Sequence, residues 1–514
     1  MTGTNTLYDA LTAHRQNLDD DFLIVPGSNA DGYTATTWSW GDFVSTAARF
    51  AHTLVAAGVA PGDRVAVQAT KSPEAFALYL GCLQCGAAFL PMNTAYTVAE
   101  ILYFLSDAEP SLFICDPARE SDFQQALENE THQPAVMTLS ADGQGSLPSD
   151  AGRRPGQFET VARAADDLAA ILYTSGTTGR SKGAMLSHDN LLSNALTLKS
   201  YWEFTSNDVL LNALPIYHTH GLFTAGNTLL LSGGKMIFPR RFIASEVIEL
   251  LPQATTMMGV PTFYTRLLDE NGFTSALVQH MRLFISGSAP LLAETHQAFE
   301  ERTGRRILER YGMTETSMNT SNPYNGERRA GTVGFPLPGV ELRIRDADTS
   351  ELCGVDAIGT IEVRGPNIFG GYWRMPEKTA QEMTADGFFI TGDLGKRDAD
   401  GYIHIVGRGK DLIISGGFNV YPKEIELLLD DQPGVLESAV VGASHPDFGE
   451  GVVAYVVADG TQELQESVLK AAVAEKLARF KQPGFIHVIE ELPRNTMGKV
   501  QKNVLREQAA GSFD

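Results

Sequence analysis

Apolar positions along this chain fall into two periods. Residues 63–68 and 87–92 read as strands, and 72–85 between them carries apolar residues at helical spacings of three and four. This rhythm runs from Leu7 to about Ala165 and predicts an α/β fold, with parallel sheets covered by helices. It resumes at 168–171, 208–214, 235–238, 254–258 and 282–285, with a helix opening after the turn Gly259-Val260-Pro261. Over 330–405 the segments shorten to 340–344, 359–364 and 402–406, separated by glycines, which predicts an antiparallel, β-barrel-like subdomain.

Gly407-Arg408-Gly409-Lys410-Asp411 lies between two apolar runs and marks the expected boundary. It gives a large N-terminal domain over 1–407, a hinge over 408–411, and a small α+β C-terminal domain over 412–514. The polar stretch 116–160 is expected to form variable surface, and the tail after Arg506 to fray.

Composition narrows the function. A 43% apolar and 20% charged chain of 514 residues is an ordinary globular protein of two or more domains. With 40 basic and 62 acidic side chains its net charge is −22, which argues against nonspecific binding to nucleic acid or to an anionic membrane. Any anionic substrate must be met by local cations. Cys82 and Cys85 form a CxxC without a second ligand pair, so buried free thiols are expected. No signal peptide or membrane span is expected, and a cytoplasmic location follows.

The densest chemistry lies in Thr174-Ser175-Gly176-Thr177-Thr178-Gly179-Arg180-Ser181-Lys182-Gly183, directly after an apolar strand. Hydroxyls and main-chain N–H groups donate, glycines admit close approach, and the cations neutralise, so the loop is expected to cradle phosphates. Its spacing is not that of GxxxxGK[ST]. Four further clusters follow: Arg310-Tyr311-Gly312-Met313-Thr314-Glu315, Thr391-Gly392-Asp393, the 407–411 boundary, and Pro493-Arg494-Asn495-Thr496-Met497-Gly498-Lys499. Glu315, in a turn, suits a Mg²⁺ ion shared with phosphates, because magnesium needs only one or two carboxylates. Asp393 suits a pair of ribose hydroxyls.

In this order the five clusters resemble the adenylate-forming superfamily of acyl-CoA synthetases, nonribosomal adenylation domains and luciferases. The resemblance covers the chain from about Leu7 to Arg506. It implies that Thr174, Ser175, Gly176, Thr177, Thr178 and Lys182 hold the ATP phosphates, and that Ser288, Ala289 and Pro290, with Glu309, Arg310, Tyr311, Gly312 and Met313, wall the adenine and the acyl carboxylate. It further implies Thr314 as a phosphate contact, Glu315 with Thr174 as the Mg²⁺ site, and Asp393 and Arg408 as ribose contacts. His218 falls near the α-phosphate and acyl pocket, Lys410 at the hinge, Gly416 and Gly417 along the CoA tunnel, and Lys499 on the reacting carboxylate. ATP and CoA are the implied co-substrates. Acetylation of Lys499 by a lysine acetyltransferase, reversed by a deacetylase, would remove its charge.

Arg266, in Gly259-Val260-Pro261-Thr262-Phe263-Tyr264-Thr265-Arg266, falls where a helix of this superfamily lines the acyl pocket. An arginine buried there would need a second carboxylate on the substrate. Ser288, His218 and Met313 join it around the acid. The pattern resembles the malonate-activating members, which implies malonate + ATP + CoA → malonyl-CoA + AMP + pyrophosphate, with methylmalonate slower. A monocarboxylate or aryl ligase and a non-catalytic nucleotide-binding module remain alternatives. A monomer or small homo-oligomer is expected.

Overall fold

The computed structural model describes residues 4–13, 17–30, 32–174, 181–346, 349–415, 418–446, 448–477, 479–495 and 498–513. The chain divides into two compact units, one formed by 1–342 with 363–389, the other by 343–362 with 390–514. The second unit therefore starts ahead of the 408–411 segment singled out from the sequence.

The first unit holds two sheets. The six-stranded sheet runs Ala135–Thr138, Leu112–Cys115, Arg64–Gln68, Ala88–Pro91, Leu168–Thr174, Lys182–Ser187, all parallel except the last antiparallel pair. The nine-stranded sheet runs Phe335–Pro336, Ser317–Ser321, Ile307–Met313, Leu283–Ser286, Thr256–Gly259, Val209–Asn212, Lys235–Ile237, Asp21–Val25, Thr36–Ser39, parallel in its middle and antiparallel at both edges. Central strands buried on both faces are continuous apolar runs, which is why the sequence marks them so clearly.

Helix starts are set by local chemistry. Ser39 with Asp42, Thr97 with Glu100 and Ser187 with Asn190 each close a reciprocal cap that satisfies free backbone N–H groups. Ser72 caps the helix Pro73–Gln84, which is buried on all sides. Its Cys82 and the adjoining Cys85 are free and buried, and burial pushes the Cys85 thiol up to about 11. Among the described residues no helix is long and apolar enough to cross a membrane.

The strands Glu341–Arg345, Gly359–Arg364, Phe389–Arg397 and Ile403–Arg408 form a four-stranded sheet over the region expected to be barrel-like. The second unit also contains a five-stranded sheet: Phe418–Val420, Ile413–Ser415, Gly449–Ala458 and Val435–His445 in order, with Phe485–Ile489 parallel to Gly449–Ala458.

One expectation gains detail and one is corrected. The polar stretch 116–160 contributes the edge strand Ala135–Thr138 and the helices Glu120–Leu127 and Ser146–Ala151, each anchored by a few buried residues such as Phe123 and Leu147. The tail does not fray after Arg506. Leu505 and Ala509 of the helix Lys502–Ala509 are buried, and the Phe513 ring packs on His445 and Phe485 at 4.9 and 5.1 Å.

Candidate active site

The phosphate-loop stems are cross-strand partners: Thr174 ends one strand, Lys182 begins the next, and the two pair in register. Ser175, Gly176, Thr177 and Thr178 lie outside the described residues. Both stems are braced by the helix Val98–Ala108, with Tyr173 Oη donating to Asp107 at 2.5 Å and Tyr103 Oη to the Ser181 carbonyl at 2.8 Å.

Glu315 sits in the turn between the strands Ile307–Met313 and Ser317–Ser321. Gly312 is required there, since a Cβ would fall 1.9 Å from the Ser317 carbonyl oxygen. Tyr311, Gly312, Met313 and Thr314 are half-buried along the same strand end, while Glu315 is 5% exposed. The Glu315 carboxylate accepts from Tyr372 Oη at 3.0 Å and from Thr174 Oγ1 at 3.4 Å, and among the described residues no ion pair neutralises it. A buried carboxylate with spare acceptor capacity beside a threonine hydroxyl fits a Mg²⁺ ion.

Lys182 is also buried, with its Nζ 3.1 Å from Glu382 and 3.9 Å from the centroid of the Tyr372 ring. Burial pushes the Glu382 carboxyl up, but hydrogen bonds from Tyr372, Lys378 and Lys182 outweigh it and hold the group below its ordinary value.

A second constellation forms around the end of the strand Leu283–Ser286. Ser288 adopts φ +74°, a strained value for a serine, and its Oγ lies 3.1 Å from His220 Nδ1. Arg310 is 3% exposed, and its Nε and Nη2 have no hydrogen-bond partner. Its guanidinium packs over Gly287, where a Cβ would sit 2.4 Å from Cζ. Burial lowers its pKa to about 9, offset in part by Tyr264 and Glu309, so it stays charged at neutral pH. Burial, then Arg310 and His218, push His220 well below the usual histidine range and keep it neutral. Ala289 is half-buried and Pro290 exposed. Glu309 is buried and accepts the Leu291 N–H at 3.2 Å.

The structure adds a second histidine here and departs from one expectation. His218 is half-buried with its ring against Tyr217, and the imidazole meeting Ser288 is that of His220, two residues on, in a π-helical turn His220–Asn227. Arg266 is exposed, not buried. The helix Pro261–Leu268 turns Tyr264 and Leu267 into the core, which leaves Arg266 facing outward with no desolvated charge. The buried arginine with unpartnered nitrogens is Arg310.

In the second unit Asp393 and Arg408 pair across adjacent strands, with Arg408 Nε 2.7 Å from Asp393 Oδ1. Lys410 is exposed in the short turn Gly409–Asp411. Gly416 and Gly417 lie outside the described residues. Lys499 is exposed in a tight turn: its N–H donates to Asn495 Oδ1 at 3.0 Å, and the Asn495 N–H returns to the Lys499 carbonyl at 2.9 Å. Arg494 holds this turn through the Gly498 carbonyl at 2.6 Å and an ion pair with Glu437.

The family model described as AMP-binding enzyme matches residues 12–373, and that described as AMP-binding enzyme C-terminal domain matches 424–499. The chain is 34% identical over 497 residues to a malonate–CoA ligase of Arabidopsis thaliana, covering 88% of this chain and 78% of that one. It is 35% identical over 496 residues to a sulfoacetate–CoA ligase of Cupriavidus necator, covering 96% and 95%. ATP-bound MatB from Rhodopseudomonas palustris superposes with a TM-score of 0.93 at 53% identity, covering 99% of this chain and 100% of that one.

Proposed function

We propose malonate as the acid activated by this chain, which belongs to the AMP-binding enzyme family and is an AMP-forming acid–thiol ligase. The carrying observation is Arg310, a buried cation with two unpartnered nitrogens beside Ser288 and a neutral His220. An uncompensated buried charge costs several kcal/mol, about 3–5 in the usual case. An aliphatic or aryl tail would leave that cost standing. The second carboxylate of malonate accepts from the guanidinium fork and removes it. The similarity to ligases named for malonate and for sulfoacetate supports the reading, since both acids are short dianions.

The reaction is malonate + ATP + CoA → malonyl-CoA + AMP + pyrophosphate through a malonyl-adenylate, with methylmalonate a slower substrate. Lys182 and Thr174 hold phosphate oxygens, and Asp393 with Arg408 takes the ribose. Lys499 draws the reacting carboxylate toward the α-phosphate, so that two anions meet in line at reduced repulsion. Glu315 and Thr174 are the residues that would hold Mg²⁺, which when bound neutralises phosphate charge. Thioester formation then requires Lys499 to withdraw, with Lys410 as the pivot and Gly416 and Gly417 leaving room for the CoA arm. The exposure of Lys499 leaves it open to acetylation, which would stop adenylation.

AMP release measured in parallel with malonate, methylmalonate, sulfoacetate, acetate, butyrate and benzoate tests the substrate. Malonate is expected to lead. Sulfoacetate in the lead would keep the dianion site and change the acid, whereas butyrate or benzoate in the lead would overturn the reading.

A further inference from the structure

Two residues outside the five motifs stand between the phosphate-loop lysine and Glu315. Tyr372 is 2% exposed, and its hydroxyl lies 2.6 Å from Glu382 Oε2 and 3.0 Å from Glu315 Oε1. A phenol has one proton to give, so it serves one of these carboxylates at a time. Glu382 Oε1 meets two ammonium groups, Lys182 Nζ at 3.1 Å and Lys378 Nζ at 2.9 Å. Two ammonium groups share this one carboxylate, so neither is fully committed to it.

The arrangement also fixes Lys182 on two sides, by the carboxylate and by the face of the Tyr372 ring. A lysine left free would lose rotamer entropy on binding a phosphate. Here that loss is already met on folding. The backbone sets the geometry: Glu382 ends the helix Pro376–Gln381, with its N–H on the Lys378 and Thr379 carbonyls, and the Tyr372 N–H donates to Thr379 Oγ1 at 2.9 Å.

We propose that Glu382 and Tyr372 are positioning residues for ATP, Glu382 presenting the Lys182 ammonium to the phosphates and Tyr372 orienting the Glu315 carboxylate. The proposal rests on the reading of Lys182 as a phosphate contact and Glu315 as a cation ligand. It predicts a split by substrate and by half-reaction that a general packing role would not produce.

The test compares full-length wild type, Glu382→Gln, Glu382→Asp, Tyr372→Phe and Lys182→Ala in ATP–pyrophosphate exchange with the acid the wild type prefers. It adds calorimetric binding of pyrophosphate without divalent cation, and conversion of pre-formed acyl-adenylate by CoA. Glu382→Gln is expected to raise the KM for ATP on the order of tenfold and to weaken pyrophosphate binding similarly, with the KM for the acid and the CoA step within about twofold of wild type. Glu382→Asp regains part of the loss. Tyr372→Phe raises the Mg²⁺ concentration for half-maximal exchange roughly threefold. If Lys182→Ala raises the KM for ATP while Glu382→Gln leaves it unchanged or lowers it, the positioning role is overturned and the phosphate role of Lys182 survives. Equal losses in both half-reactions would also overturn it. An unchanged KM for ATP in Lys182→Ala would remove the reading of Lys182 and the proposal together.

Discussion

Among the described residues of the first unit three basic side chains are buried, Lys71, Lys182 and Arg310, and the surroundings of the last two are opposite. Lys182 is ion-paired to Glu382, stacked on Tyr372 and braced through the loop stems. Arg310 lies 3% exposed over Gly287 with Nε and Nη2 unpartnered. The proposed partner of the paired cation is the ATP phosphates, which the family handles in common. An unpaired one is an outstanding electrostatic demand that only a particular acid can answer. In the proposed function the Lys182 end serves the nucleotide, and the Arg310 end selects the acid.

This contrast can be broken by mutation. The largest effect is expected from Arg310→Ala, which should lower kcat/KM for malonate on the order of a thousandfold while moving the KM for ATP less than about threefold. Steady-state kinetics with each substrate varied in turn checks this, and comparable losses for both substrates would erase the distinction. Glu382→Gln, at roughly tenfold and on ATP alone, is the mirror image at the other end. Arg266→Ala should change kcat/KM for malonate by less than about threefold, because an exposed guanidinium has little desolvation to recover. A loss there matching that of Arg310→Ala would return the acid-binding role to the helix Pro261–Leu268.

A separate effect concerns stability rather than catalysis. His188 is 1% exposed, and burial, then Arg163, lower its pKa to about 4. Its Nδ1 accepts the Leu7 N–H at 3.4 Å, tying down the helix Thr6–Thr12. A histidine depressed in the folded state binds fewer protons there than in the unfolded chain. Its contribution is complete above about pH 6.5 and lost as the pH falls toward 4, amounting to about 3 kcal/mol. Denaturant unfolding from pH 7 to 4 should show this loss, and His188→Gln should flatten it. A slope unaltered in that variant would assign the acid sensitivity elsewhere.

Much of the fold was legible because the parallel strands are buried on both faces and so form unbroken apolar runs between helices. The family was legible because glycines, hydroxyls and charges recur in a fixed order across five clusters. Failures arose where facing decides the matter. His220 was missed, because nothing in the sequence shows which imidazole the π-helical turn brings to Ser288. Arg266 looks outward because Tyr264 and Leu267, three apart, claim the core side of a short helix. Arg310 is one of four consecutive buried residues, Ile307 to Arg310, where alternation does not separate the faces. Glu382 and Tyr372 meet Lys182 across long sequence separations, so no local pattern points to them. In 116–160 an edge strand and two helices need only a few buried anchors, and a polar composition hides them.

The most direct measurement is kcat/KM for malonate and for butyrate, side by side, on wild type and Arg310→Ala. The wild type is expected to prefer malonate on the order of a thousandfold, a preference that shrinks to within about tenfold in the variant. A wild type that favours butyrate, or a preference for malonate that survives the loss of Arg310, would contradict it.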